Sequence, residues 1–365
     1  MSKTDYIIIG GGIIGMMTAR ELAIQGARVA IFERKNLGME TSWAAGGILS
    51  SMRPWAESSA SMLLSEQGKK LYPDYVELLN QETGIDSEYI RSGLVIIDED
   101  HAAKTKAWAH SGNVKLMEDI NNISCDIKLP NYSVFLPDIA QVRPPKLLKA
   151  LRKSLEDSSV SIYENTEITD LGIKNNQFQF VEFSGSKVVA DAVIITAGVW
   201  SKSILGDIKS EINIKPIRGQ MLCVKSDEKI LDKIILDGAH YLIPRRDGHI
   251  LIGSTMEDVG FVNETTKIGR KELLDWANSI YPAINKATPV SHWSGLRPST
   301  AANIPIIGQI PGFKNVYLNT GHFRKGILQA PSSARLLVDN ILGKDTFMDI
   351  ENFNLECQKK TLELV

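Results

Sequence analysis

The period of the apolar positions changes several times along this chain, and each change marks an element. Tyr6-Ile7-Ile8-Ile9 is a continuous apolar run, as in a strand covered on both faces. It breaks at Gly10-Gly11-Gly12-Ile13-Ile14-Gly15, continues as a helical segment, and returns as a second apolar strand ending in Ile31-Phe32-Glu33. Over 62–79, Leu64, Leu71, Tyr75 and Leu78 recur at helical spacing with Gly68 on their stripe, which predicts an amphipathic helix packed on the core. Leu94-Val95-Ile96-Ile97 predicts a buried strand, while 99–140 alternates polar helix and loop signals. Pro144-Pro145 opens a helix through Leu148, Leu151 and Leu155, proline being tolerated in a first turn. A strand at 160–163 and a hairpin around Asn175-Asn176 follow. Asp191-Ala192-Val193-Ile194-Ile195-Thr196-Ala197-Gly198 is another buried strand, and its small last residues lie where doubly wound sheets bind ligands.

From Lys215 the strands lengthen and alternate. The segment 240–256 carries Asp247-Gly248 as a hairpin turn; with a two-residue turn, Tyr241 sits opposite Ser254, and Tyr241 and Met256 are diagonal neighbours on one face. A helix over 271–281 and a strand into Trp293-Ser294-Gly295-Leu296-Arg297-Pro298 come next. The last stretch repeats the opening pattern, with a strand at 315–319, the turn Thr320-Gly321-His322-Phe323-Arg324-Lys325-Gly326, and a helix over 327–342 stopped by Gly343. The pattern predicts an α/β protein: a Rossmann-like domain interleaved with an α+β domain on a mainly antiparallel sheet.

The opening segment has its own chemistry. Gly10 permits a tight turn, Gly12 leaves room for a pyrophosphate, and Gly15 lets helix and sheet approach. The helix start, with Ile13 and Ile14, offers N–H groups and a positive dipole end to phosphates. Glu33 follows Gly15 by 18 residues, where a carboxylate accepts both ribose hydroxyls and disfavours a 2′-phosphate. This fingerprint alone does not choose between NAD and FAD. The loop Thr41-Ser42-Trp43-Ala44-Ala45-Gly46-Gly47 directly after it reads as a cofactor lining.

A length of 365 residues suggests two domains, at about 150 residues each. An apolar fraction of 43%, with 23% charged, is ordinary for a soluble globular protein, and a net charge of −2 gives no electrostatic reason for nucleic acid or an anionic membrane as partner. Cys125, Cys223 and Cys357 are widely spaced, which argues against a disulfide framework or a metal site and for reduced thiols in a cytoplasmic protein. The apolar run 6–19 is too glycine-interrupted and too closely flanked by charge for a signal peptide, and no stretch has the length of a membrane helix.

The set Gly10-Gly-Gly12-x-x-Gly15, Glu33, Ala44-Ala-Gly-Gly47, Thr196-Ala-Gly198, Gly295-Leu-Arg-Pro298 and Thr320-Gly-His-Phe-Arg-Lys-Gly326 resembles the D-amino-acid oxidase family of FAD-dependent amine oxidoreductases. Within it the match is to the glycine oxidase branch, which supplies an imine for the thiazole of thiamine in some bacteria. The resemblance implies that Tyr241 and Arg297 hold the substrate carboxylate, that Met256 walls the small-substrate pocket, and that Arg324 stands near the flavin. It places Arg34, Ile168, Ala197, Gly198, Trp200, His322, Gly326, Ile327 and Leu328 among the cofactor contacts, with Gly326, Ile327 and Leu328 in the turn beneath the pyrimidine end. Lys325 stands where the family turn more often has Asn.

Taken singly, an arginine before proline is an ordinary strand-end residue and Tyr241 an ordinary core aromatic; within the resemblance they form a clamp. A planar, permanently charged fork fixes an α-carboxylate in one orientation, and orientation is the main need of hydride transfer to flavin N5. His240 and His322 read as a strand histidine and a turn residue, so no catalytic base is assigned. The expected enzyme binds FAD noncovalently and converts glycine or a small D- or N-methyl amino acid to a 2-oxo acid and ammonia. Dioxygen is its acceptor and hydrogen peroxide its product. The resemblance further suggests a homodimer or homotetramer. The expected cofactor domain is 1–85, 142–212 and 298–365, and the substrate domain 86–141 and 213–297; Arg53-Pro54-Trp55 reads either as a lid over the site or as an ordinary surface loop. The rival within the fold is a D-amino-acid dehydrogenase feeding a quinone or carrier. An NAD-dependent dehydrogenase fits only the first 33 residues, a flavin-dependent tRNA modifier would call for a basic face, and a non-enzymatic binding protein leaves the clamp unexplained.

Overall fold

The computed structural model describes residues 4–112, 114–119, 127, 129–206, 212–226, 231–301 and 303–357, so Cys125 lies outside the described residues. The fold is α/β and is organised by two sheets. The first runs in the order Ile306–Gln309, Val316–Thr320, Ser186–Ile195, Thr4–Ile9, Val29–Phe32, Ser161–Tyr163. Pairings from Val316–Thr320 through Ser161–Tyr163 are parallel, and the edge strand Ile306–Gln309 is antiparallel. From Thr4–Ile9 the chain moves to Val29–Phe32 on one side, while Ser186–Ile195 fills the other. Strand order therefore reverses at Thr4–Ile9, which opens a crevice at the carboxyl ends of these strands. The alternation of a strand is visible in the packing: Ile8 joins the core under the helices, and Ile7 and Ile9 join the core under the Asp170–Lys174/Gln177–Phe183 hairpin. Asn175 and Asn176, both left-handed, make the tight turn of that hairpin.

The helix predicted over 62–79 spans Ser59–Thr83, begun by the Ser58 hydroxyl accepting from Ser61 N–H and ended by Gly84 in the left-handed region. Its buried stripe is Leu64, Gly68, Tyr72, Val76 and Leu79; of the other expected residues Tyr75 packs against this core from its edge, Leu71 is half-buried and Leu78 is exposed. Gly68 decides this, because a Cβ there would lie 2.2 Å from the Leu328 carbonyl oxygen. Helix Gly326–Ile341 therefore crosses at Gly68. Pro331 within that helix has no N–H for the Ile327 carbonyl four residues earlier, and the buried Tyr72 hydroxyl donates to it instead, at 2.5 Å.

The second sheet runs Thr288–Thr300, Ile214–Lys225, His249–Gly253, His240–Pro244, Ile234–Asp237, Leu94–Ile96, Val134–Leu136. It is antiparallel except between Ile234–Asp237 and Leu94–Ile96. Helix Lys267–Ile280 covers one face through Leu273 and Ala277. One register differs from expectation. Tyr241 pairs with Gly253, not Ser254, because the connection is a three-residue loop, Arg246-Asp247-Gly248, closed by the Arg245 N–H to His249 carbonyl bond with Gly248 left-handed. The strand ends at Gly253, and Met256 lies beyond it. Among the described residues no helix is long and apolar enough to cross a membrane.

Candidate active site

A cleft of about 1820 Å³, including its open mouth, runs from the switch point of the first sheet to the face of the second. At its glycine-rich end, a Cβ on Gly10 would meet Ala197 Cα at 2.8 Å, and one on Gly15 would meet the Gly10 carbonyl oxygen at 1.9 Å. Gly10 and Gly12 line the cleft with Ile13 and Ile14; Gly15 lies behind them as the packing contact of helix and turn. The Ser42 hydroxyl accepts from Ile13 N–H at 3.0 Å at the helix start. Glu33 closes its strand and accepts from Gly11 N–H at 2.8 Å and Lys35 N–H at 2.9 Å. Burial raises its pKa against those bonds, and its oxygens keep lone pairs toward the cleft it lines.

The middle of the cleft is walled by Thr41, Ser42, Ala44, Ala45, Gly46 and Gly47, with Ile168, Ala197, Gly198 and Trp200 opposite. The Arg34 guanidinium stacks on the Trp200 ring at 3.7 Å while paired with Glu40 at 2.6 Å, so its plane is fixed. The glycine loop is held from behind. Trp293 Nε1 donates to the Ala44 carbonyl at 3.2 Å, and the buried Arg245 donates to the carbonyls of Gly46 (2.7 Å) and Val142 (2.9 Å) and to Gln141 Oε1 (2.7 Å). Burial lowers the Arg245 pKa to about 10.

At the far end stand Tyr241, Arg297 and Arg324. Arg297 Nη2 donates to Ser254 Oγ at 2.8 Å and Nη1 to the Thr255 carbonyl at 3.1 Å, which sets the plane of the fork and leaves other N–H groups for a ligand. Glycines make the room: a Cβ on Gly219 would lie 2.1 Å from Arg297 Nη2, and one on Gly253 would lie 2.6 Å from the Tyr241 ring. Among the described residues, no carboxylate is ion-paired with Arg297 or Arg324. Burial pushes both guanidiniums below the usual arginine value; the Tyr241 hydroxyl supports Arg297, whereas Arg297 and Arg53 depress Arg324 further. Such a pair of facing cations is a site for an anion.

The DAO family model, described as FAD dependent oxidoreductase, matches residues 5–340. The chain belongs to this family. It is 36% identical to glycine oxidase of Pseudomonas aeruginosa over 94% of the chain and 96% of that protein. It is 29% identical over 93% of its length to the bifunctional protein ThiO/ThiG of Trichormus variabilis, of which the match spans 52%. The crystal structure of glycine oxidase from Geobacillus kaustophilus superposes with a TM-score of 0.91 at 27% identity, covering 97% of this chain and 99% of that one.

The family's FAD can be tested against the cleft. Two buried polar atoms beside it have no partner among the described residues, Asn319 Oδ1 and His322 Nε2. Burial, aided by Lys325, pushes the His322 pKa down to about 3, so the ring is a neutral hydrogen-bonding group at ordinary pH. Gly198, left-handed, has no atom within 4 Å of where a Cβ would be. Orphaned polar atoms, a side-chain-free approach and a helix start beside a carboxylate fit a dinucleotide of this kind. His322, Gly326 and Ile327 line the cleft with Arg324, and Leu328 packs beneath with its carbonyl toward Gly68.

Met256 is the expected site residue that the structure does not bring in. It is 53% exposed and off the cleft lining, three residues beyond the strand that ends at Gly253. Sequence reasoning missed Gly219, whose signal was a glycine inside a strand. It also missed Arg245 and Tyr72, which act on the backbone of the cleft from behind and left no local signal. The Arg53-Pro54-Trp55 segment forms a turn at Pro54–Ala56, and Ser50 and Met52 beside it line the cleft.

Proposed function

We propose that this chain is an amino acid oxidase of the glycine oxidase type: R–CH(NH3+)–COO− + O2 + H2O gives R–CO–COO− + NH4+ + H2O2, with glycine or a small D-amino acid as substrate, or an N-methyl amino acid, which releases methylammonium in place of ammonium. The observation that carries the reading is the Tyr241–Arg297 pair at the end of a cleft suited to FAD, with a guanidinium that no carboxylate among the described residues neutralises. Arg297, its plane set by Ser254 and Thr255, holds the α-carboxylate in two parallel bonds, and the Tyr241 hydroxyl adds a third donor without charge. Gly46 beside the Tyr241 ring and Gly219 beside Arg297 leave side-chain-free space at this end of the cleft for the substrate. Bound FAD, held noncovalently, supplies the acceptor for the hydride from the substrate carbon. In this reading segments 1–85, 142–212 and 298–365 hold the cofactor and 86–141 and 213–297 the substrate. The protein works in the cytoplasm as a homo-oligomer and feeds thiamine thiazole synthesis.

The test is the absorbance spectrum of the purified protein under anaerobic addition of glycine, then of D-alanine. Flavin bands that bleach and return in air with stoichiometric peroxide support the reading. Bands that recover only with a quinone would remove dioxygen as acceptor, and a flavin reduced by neither amine would remove the substrate class.

A further inference from the structure

Behind the cleft wall at Gly46-Gly47 lies a buried cation that no carboxylate touches. Arg245 is 7% exposed and, among the described residues, is in no ion pair. The carboxylates whose fields reach it, Glu88 and Asp247, are taken by others: Arg143 Nη1 lies 3.2 Å from Glu88 and 2.7 Å from Asp247, and Lys146 Nζ lies 2.6 Å from Glu88. Arg245 touches backbone instead. Its Nη2 donates to the Gly46 carbonyl at 2.7 Å and its Nη1 to the Val142 carbonyl at 2.9 Å, with Gln141 Oε1 also at 2.7 Å. These bonds replace a rung of a ladder. Ile48–Leu49 pairs antiparallel with Ala140–Gln141, and one residue further out the Val142 N–H donates to the Gly47 carbonyl at 2.9 Å. An antiparallel pair of this kind ordinarily returns the bond, from Gly47 N–H to the Val142 carbonyl. Here Gly47 is left-handed, at φ 79°, and presents its α-carbon to that oxygen, where a Cβ would lie at 2.2 Å; Arg245 takes the acceptor. The Gly47 N–H has no acceptor among the described residues. N–H and C=O point to opposite sides of a trans peptide, so the Gly46 carbonyl held by Arg245 turns the Gly47 N–H away from it, toward the cleft that both glycines line.

We propose that Arg245 is a positioning residue for the flavin: it aims the Gly47 N–H into the cleft and, with its charge fixed behind the Gly46 carbonyl, strengthens that N–H as a donor to the reduced ring. A carbonyl bonded to a cation polarises its whole peptide, and the N–H at the other end then donates more strongly. A hydride adds one negative charge to the flavin that receives it, and a donor already in place favours that charge. The effect falls at the substrate end, since a Cβ on Gly46 would lie 3.4 Å from the Tyr241 ring. Burying a guanidinium without a carboxylate is costly, and a use for its charge at the cleft accounts for that cost. The inference rests on FAD in the cleft and not on which amine is oxidised.

The experiment uses the FAD-loaded protein with no amine added. Anaerobic reduction beside a reference dye gives the two-electron equilibrium of the bound flavin in the parent, Arg245→Gln, Arg245→Lys and Gln141→Leu, and urea unfolding gives the stability of each. Arg245→Gln is expected to shift the equilibrium at least tenfold toward oxidised flavin, or about 30 mV. Arg245→Lys, with the charge kept, should stay within threefold of the parent. Gln141→Leu removes an acceptor of the same guanidinium but not its charge, so it should lower the urea midpoint and leave the equilibrium within threefold. An Arg245→Gln holoprotein with the parent equilibrium would overturn the inference. So would a Gln141→Leu shift as large as that of Arg245→Gln, because packing rather than charge would then be the cause. If Arg245→Gln holds no FAD, the lysine variant decides: an equilibrium within threefold of the parent supports the role of charge, and a tenfold fall overturns it. None of these outcomes requires an amine to reduce the flavin, so a failure of the oxidase reading would show separately, as bands that no amine bleaches.

Discussion

Tyr72→Phe removes a single, fully enclosed oxygen atom and isolates one interaction that joins the fold to the cleft. The Tyr72 side chain has 0% exposure, and its hydroxyl donates at 2.5 Å to the carbonyl of Ile327, a residue of the cleft lining. That carbonyl has no normal helical donor, because Pro331 stands four residues on. Phenylalanine keeps the ring and its packing but leaves a buried acceptor unpaired, at a cost of about 1–3 kcal/mol. Part of this falls on the first turn of helix Gly326–Ile341, so FAD affinity should drop by up to roughly tenfold per 1.4 kcal/mol transmitted. The assay is urea unfolding of the FAD-loaded protein, paired with FAD titration of the apoprotein by quenching of flavin fluorescence. A variant with unchanged urea midpoint and unchanged FAD affinity would refute the claim that Tyr72 replaces the missing proline N–H.

Three further outcomes follow from the same geometry. Arg297→Ala should weaken substrate binding by about 2–5 kcal/mol while flavin remains bound, read as a raised KM; an unchanged KM removes Arg297 from the site. Gly219→Ala should raise KM at least tenfold, or about 1.4 kcal/mol, with an unaltered circular dichroism spectrum, because a Cβ 2.1 Å from Arg297 Nη2 displaces the flexible end of a side chain rather than backbone. Burial pushes Glu257 up, but bonds from Arg218, Thr255 and Gln220 prevail and hold its pKa to about 2. A depressed carboxylate stabilises the fold fully above its ordinary 4.5, and that contribution, about 1–2 kcal/mol once solvent screening is allowed for, is lost as pH falls toward 2. Acid titration of tryptophan fluorescence should therefore show a shallower loss for Glu257→Gln than for the parent protein, which itself starts more stable at pH 7.

The parts of the site that were legible in the sequence are those whose chemistry is local. In the first 33 residues the spacing of the glycines carries the meaning, Gly15 making room for the Gly10 carbonyl within the same strand–turn–helix unit although Gly10 itself makes room for Ala197 beyond strand Ser186–Ile195, and Gly10, Gly12 and Glu33 all line the cleft. The substrate end is different in kind. Arg297 is recognisable, but its room comes from Gly219 on the adjacent strand Ile214–Lys225, and its plane comes from Ser254 and Thr255 across the sheet. Those partners become visible only when register is known, and register here turns on the length of one loop. Counting Asp247-Gly248 as a two-residue turn set Tyr241 opposite Ser254 and made Met256 its diagonal neighbour; the third residue, Arg246, slides the partner by one. A slip of one residue exchanges the faces of a strand. Gly253 rather than Ser254 then faces Tyr241, which leaves the ring a surface with no side chain to lie on and leaves the Ser254 hydroxyl for Arg297. The hairpin loop thus settles two members of the clamp at once, and lengthening or shortening it by one residue should uncouple Tyr241 from Arg297 more completely than replacing either side chain.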